Sequence, residues 1–215
     1  PLVAEAFADL ETPLSLYLKL AHVQNNGERS FLLESVVGGE RFGRYSFIGL
    51  PARTLLRASG FGEAAKTEVV TDGLVVETHA GNPLDFVAAY QKRFKVALRQ
   101  GLPRFCGGLA GYFGYDTVRH IEKKLVNSCP PDDLGMPDIL LLQTEELAVI
   151  DNLSGKLSLI VYADPAQPDA YAKAHARLAE LKLRLKAPAQ APSIAPCVSH
   201  PAERSFAKDD YLAAV

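Results

Sequence analysis

The chain has 215 residues, 48% of them hydrophobic, and its 23 Lys and Arg against 25 Asp and Glu leave a formal net charge of −2. That length suffices for one sizeable core or two modest ones. The near balance of charge excludes the basic footprint of a nucleic-acid or anionic-lipid binder, and no run approaches the roughly 20 apolar residues that span a bilayer.

Thr12-Pro13 pairs a capping hydroxyl with proline at the first helical position. It predicts a helix through PLSLYLKLAHV with Leu14, Tyr17, Leu18 and Ala21 on one face. NNGERS breaks it, and three strand-like runs follow over 30–36, 44–50 and 53–58, bounded by glycine or proline. EVVTDGLVVETHA predicts a hairpin, because Asp72-Gly73 can supply the positive φ values of a tight turn. Asn82-Pro83 repeats the cap-then-proline signal ahead of DFVAAYQKRFKVAL, where Phe86, Ala89, Tyr90 and Phe94 share helical spacing. FCGGLAGYFGYD reads as a glycine-punctuated strand, after which Asp116 caps a short helix in TVRHIEKK.

ILLLQTEELAVIDNLSGKLSLIVYADP predicts two long strands joined across Asn152–Gly155, with Pro165 closing the second. A helix over 169–186 should turn Tyr171, Ala174, Leu178, Leu181 and Leu185 inward. Residues 1–186 then form one folded unit, and the Pro/Ala-rich stretch 187–203 is a linker. Residues 204–215 open a second unit. Antiparallel hairpins with few helices indicate an α+β fold. Pro1 at the start and a helix just beginning in SFAKDDYLAAV lead us to expect a fragment or a processed chain.

The glycines of GGLAGYFGYD lack the Gly-Lys-Ser/Thr ending of a phosphate loop, so bulges or close backbone approach explain them better. The five histidines show no metal-ligand spacing. Cys106, Cys129 and Cys197 frame neither a disulfide scaffold nor a zinc site; reduced thiols in a cytoplasm fit them, with Cys106 a buried structural thiol. Asp132-Asp133 reads as a solvated turn.

Glu34 stands out, a carboxylate within the apolar run FLLESV. In a strand, Leu32, Glu34 and Val36 share one face while Phe31, Leu33 and Ser35 share the other. A buried carboxylate must meet a cation or several donors. That cation is Arg41 or Arg44, or the ammonium of a ligand; a solvated strand end is the plain alternative.

ETPLSLYLKL, FLLES, GGERFGRYSFIG, CGGLAGYFGYD and MPDILLL, in this order and spacing, resemble the amino-terminal region of anthranilate synthase component I. The resemblance implies an α+β fold of antiparallel sheets packed face to face with helices outside. For a longer parent it implies conversion of chorismate and glutamine-derived ammonia to anthranilate and pyruvate, with Mg2+ as cofactor and a glutamine amidotransferase subunit as partner. It places no catalytic or metal-binding residue on these 215 and makes 204–215 the start of a chorismate-binding domain. It implies an L-tryptophan feedback site formed by Glu34 and Ser35 of LLES and by Arg44, Tyr45 and Ser46 of RYS. In that site Glu34 answers the ammonium, and Arg44 can fork to a carboxylate. Aminodeoxychorismate synthase, which resembles the same region, is the chief alternative, and a non-catalytic α+β binding module is the other.

Overall fold

A computed structural model describes residues 1–22, 28–35, 43–129, 132, 134–193 and 206–215. Among them the strands are β1 (Leu2–Phe7), β2 (Phe31–Leu33), β3 (Tyr45–Gly49), β4 (Thr54–Ser59), β5 (Lys66–Thr71), β6 (Leu74–Ala80), β7 (Gly108–Phe113), β8 (Ile139–Thr144), β9 (Glu146–Asp151) and β10 (Lys156–Val161). They form two antiparallel sheets, ordered β1-β10-β9-β3-β2 and β6-β5-β4-β8-β7. The helices are α1 (Pro13–Tyr17), running on into a π-helical turn over Leu18–His22, α2 (Pro83–Gln91), α3 (Ala170–Leu185) and the exposed α4 (Lys208–Ala214). The α+β class with two antiparallel sheets is as expected.

Each sheet carries its own helical layer. In the first, Ile48, Ala148, Ile150, Leu157 and Leu159 pack against Leu16 and Leu20 of the first helix and Ala174, Leu178 and Leu181 of α3. Its opposite face, with Leu147, Val149 and Ile160, is covered by Leu102, Phe105 and Cys106. In the second sheet, Leu56, Ala58, Val69, Ile139 and Leu141 pack against Phe86, Val87 and Tyr90 of α2. None of these three buried clusters draws strands from both sheets. Burying Cys106 makes it the structural thiol expected of it.

Local chemistry starts the helices where anticipated. Thr12 Oγ1 accepts from Ser15 N at 3.0 Å and Ser15 Oγ accepts from Thr12 N at 2.9 Å, a reciprocal capping box. Asn82 Oδ1 accepts from Leu84 N at 3.0 Å, with Pro83 next in line. The β5–β6 turn has Asp72 at φ 51° and Gly73 at φ 84°, as the Asp-Gly pair requires. Asp132 Oδ1 accepts from the N–H groups of Leu134 and Gly135, giving the expected turn.

Other expectations are corrected. The helix after Asn82 stops at Gln91 and does not reach Phe94. Just beyond the stop, Arg93 pairs with Glu77 on β6 through both terminal nitrogens and lies over the Phe86 and Tyr90 rings. In the first helix the buried residues are Leu16, Leu20 and Ala21, whereas Leu14 is exposed. From Leu18 on, a π-helical turn advances less per residue than an α-helix and so changes which side chains face the sheet. Tyr171 is exposed and stacks on His175, leaving Ala174, Leu178 and Leu181 as the buried stripe of α3. Asp116 does not cap an α-helix; it lies in the 3-10 segment Tyr115–His120 and pairs with Arg119 at 2.7 Å. β1 was not anticipated, since its alanines carry little strand preference, and it gains its place by pairing with β10.

The long strand foreseen before Asn152 is divided. β8 pairs with β4 and β7 in the second sheet, whereas β9 pairs with β10 and β3 in the first. Glu145 is the single residue between them, so the chain changes sheets there. Residues 187–193 of the expected linker are exposed coil, and 194–205 lie outside the described residues.

Gly111 of β7 and Gly107 just before it are close-approach glycines. A Cβ on Gly111 would overlap the carbonyl oxygen of Leu140 on the neighbouring strand, and one on Gly107 would reach the Tyr162 ring at 2.6 Å. Backbone cannot retreat as a side-chain tip can. Gly111→Ala is therefore expected to cost about 1–3 kcal/mol by overpacking, read as a lowered thermal midpoint by circular dichroism.

Candidate functional site

The five residues implicated by resemblance lie where β2 leaves the first sheet beside the start of β3. β2 pairs with β3 only through Phe31↔Gly49, Leu32↔Ile48 and Leu33↔Phe47. The strand is thus shorter than 30–36, and the reason is visible one residue on. Asn152, in the turn between β9 and β10, donates its side-chain amide to Ser46 Oγ at 3.2 Å, to Gly43 O at 2.9 Å and to Ser35 O at 3.4 Å. Its backbone N–H donates to Arg44 O at 2.7 Å. The amide takes up oxygens in the place where the β2–β3 ladder would have continued.

Glu34 follows the last residue of β2 and is exposed, so it is not a buried carboxylate. It makes no hydrogen bond or ion pair among the described residues. Arg41 lies outside the described residues, as do Val36 and the rest of 36–42. Ser35 is half-buried and attached through its carbonyl to Asn152.

Arg44 directs its fork at Asp151: Nε to Oδ1 at 3.2 Å and Nη2 to Oδ2 at 2.9 Å. The bidentate guanidinium holds the Asp151 carboxyl below the ordinary carboxylate range, and burial opposes it. The same guanidinium lies 5.0 Å from the centre of the Tyr45 ring, within cation–π range. Ser46 is fully buried.

Strand alternation sorts the remaining candidates onto two faces. Ile48, two residues from Ser46, belongs to the cluster beneath α1 and α3. Tyr45 and Phe47 belong to the opposite cluster, where Phe47 meets Phe105 edge-on with ring centres 5.5 Å apart. Ser46 and Tyr45 therefore cannot line one side of a molecule within the sheet.

The structure thus brings Ser35, Arg44, Tyr45 and Ser46 together around two residues that sequence reasoning read only as hairpin, Asp151 and Asn152. The available signal was their order, a carboxylate ending a strand followed by an amide opening the turn. Its meaning depended on where β3 would pair. For a metal, among the described residues no group of three or more His, Cys, Asp or Glu side chains is placed to hold an ion.

Comparison with known proteins bears out the resemblance drawn from the motifs. The chain is 56% identical over 189 residues to anthranilate synthase component 1 of Neisseria meningitidis serogroup B, covering 86% of this chain and 37% of that protein. It is 50% identical over 189 residues to the protein of that name from Pseudomonas aeruginosa, covering 87% and 37% respectively. The chain accordingly spans about 37% of the length of the curated relatives it matches. The crystal structure of anthranilate synthase component I from Streptococcus pneumoniae superimposes with a TM-score of 0.52 at 23% identity, over 86% of this chain and 37% of that one, a likeness of fold. No protein-family model matches the chain.

Two outcomes follow from the Asn152 and Asp151 contacts. Asn152→Ala leaves the buried Ser46 hydroxyl and the Gly43 carbonyl without this donor, and should cost about 1–3 kcal/mol in urea unfolding. Asp151→Asn should destabilise at neutral pH. Because Asp151 titrates lower in the folded chain, its contribution is present above the ordinary carboxylate range and is lost as pH falls through the folded value. The gap between the Asp151→Asn variant and the parent in thermal melts should therefore close on acidification.

Proposed function

We propose that the chain is the amino-terminal, L-tryptophan-responsive region of an anthranilate synthase component I, whose complete form converts chorismate and glutamine-derived ammonia to anthranilate and pyruvate. The observation that carries the reading is the likeness, across most of the chain, to relatives bearing that name. Those names favour it over aminodeoxychorismate synthase and over a non-catalytic binding module. The complete enzyme would add a chorismate-binding domain, a glutamine amidotransferase subunit, Mg2+ and a cytoplasmic setting. Among the described residues no group of three or more His, Cys, Asp or Glu side chains is placed to hold that metal.

The geometry supports an amino-acid effector at the open end of the β2–β3 ladder. An exposed carboxylate without an internal counterion among the described residues, Glu34, is suited to an ammonium group. Asn152 anchors Ser35 next to Ser46, and Tyr45 offers an aromatic wall for an indole. Arg44, forked onto Asp151, has the role of holding the start of β3 and the Tyr45 ring in place. Feedback then requires tryptophan to bind the inhibited arrangement of the complete enzyme more tightly than the active one, with chorismate opposing it by the same factor.

In the complete enzyme, Glu34→Gln should weaken tryptophan binding at least about tenfold by calorimetry, the worth of one charge-assisted contact. Unchanged affinity removes Glu34 from the site. Ser35→Leu should leave turnover close to that of the parent and release it from inhibition by tryptophan, and a variant that stays inhibited counts against the assignment.

A further inference from the structure

The β8–β9 crossover borders a cavity of about 340 Å³ that lies away from the β2–β3 junction. Sites for small molecules are of this size, mostly apolar with a few placed polar groups. Phe94, Val96 and Leu98, from the segment that follows α2, line it together with Leu109 of β7. Gln143, Glu145 and Arg104 supply the polar part of the lining.

A hydrogen-bond relay sets the direction of those polar groups. The hydroxyl of the buried Tyr90 donates to Gln143 Oε1 at 2.6 Å, and Gln143 Nε2 donates to Glu145 Oε1 at 2.8 Å. Turning the amide over would set its N–H against the Glu145 carboxylate no longer, and so lose that bond. Among the described residues the relay leaves one N–H of Gln143 and one Glu145 oxygen without a hydrogen bond. A donor beside an acceptor complements a carboxamide, whose carbonyl accepts and whose N–H donates. A carboxylate in the position of the amide would meet the Glu145 carboxylate as a like charge, while the apolar side chains favour a flat ring.

We propose that this cavity binds a small neutral aromatic carboxamide, its amide on Gln143 and Glu145 and its ring among Phe94, Leu98 and Leu109. Such a ligand would bridge the 94–98 segment to the second sheet at the residue where the chain crosses into the first. Occupancy would stabilise the fold by mass action.

Benzamide titrated into the 215-residue chain, with benzoate as comparator, tests this by calorimetry and by amide hydrogen exchange of 94–98. Benzamide is expected to saturate a single site and slow exchange of that segment, and benzoate to bind at least about tenfold more weakly. Glu145→Gln, at an exposed position that the fold tolerates, removes the charge that repels benzoate, so the preference should fall by about tenfold. Leu109→Trp should fill the cavity and abolish binding, and Glu34→Gln should leave it unchanged, which separates this site from the tryptophan reading. The proposal is overturned by absence of saturation up to ~10 mM benzamide, by unaltered exchange in 94–98, by a preference that Glu145→Gln does not move, or by loss of binding in Glu34→Gln.

Discussion

The amide of Asn152 is the contact on which the candidate site depends. Two N–H bonds serve three oxygens, of Ser35, Gly43 and Ser46, which precede and follow residues 36–42 in the chain. Because Ser46 is fully buried, this donor satisfies a group that has no access to water, and removing it strands the hydroxyl. The same contact stands where the β2–β3 ladder would otherwise run on. A hairpin turn, usually the most tolerant part of a sheet, here determines the position of a segment more than a hundred residues earlier.

The Arg44–Asp151 pair performs a related task by electrostatics. Asp151 closes β9 opposite Tyr45, and the guanidinium that forks to it also covers the Tyr45 ring. Partial exposure of the arginine reduces the worth of the pair through solvent screening, so its value is chiefly geometric. It adds to the packing of Tyr45 against its strand neighbours a hold on the ring at the end of the sheet. An effector bound there would meet a wall already in place, and preorganisation of this kind lowers the ordering cost of binding.

Between the two sheets the chain passes at Glu145 and again through Leu50–Arg53, and the space beside these crossings is hollow. One cavity, of about 350 Å³, is lined by Arg53, Glu146 and Arg177, and the apolar one by Phe94 and Leu98. Gln143, Glu145 and Tyr162 line both. Each buried cluster is confined to one sheet, and the halves are joined both at these crossings and where Leu102, Phe105 and Cys106, ahead of β7, cover the first sheet.

Sequence alone determined what depends on neighbours a few residues apart: the Thr12 and Asn82 caps, the Asp72-Gly73 turn, the buried stripe of Ala174, Leu178 and Leu181, and the α+β class. Each is a matter of backbone conformation or side-chain period that a short segment settles by itself. The motif spacing also carried the likeness to anthranilate synthase component I. Only the tertiary structure decided that ILLLQTEELAVID is two strands in different sheets, since both halves have the same apolar character and differ only in which partner they meet. It alone decided that Glu34 faces solvent and that the fork of Arg44 belongs to Asp151, because charge pairing is governed by distance in space, and these two lie 107 residues apart along the chain.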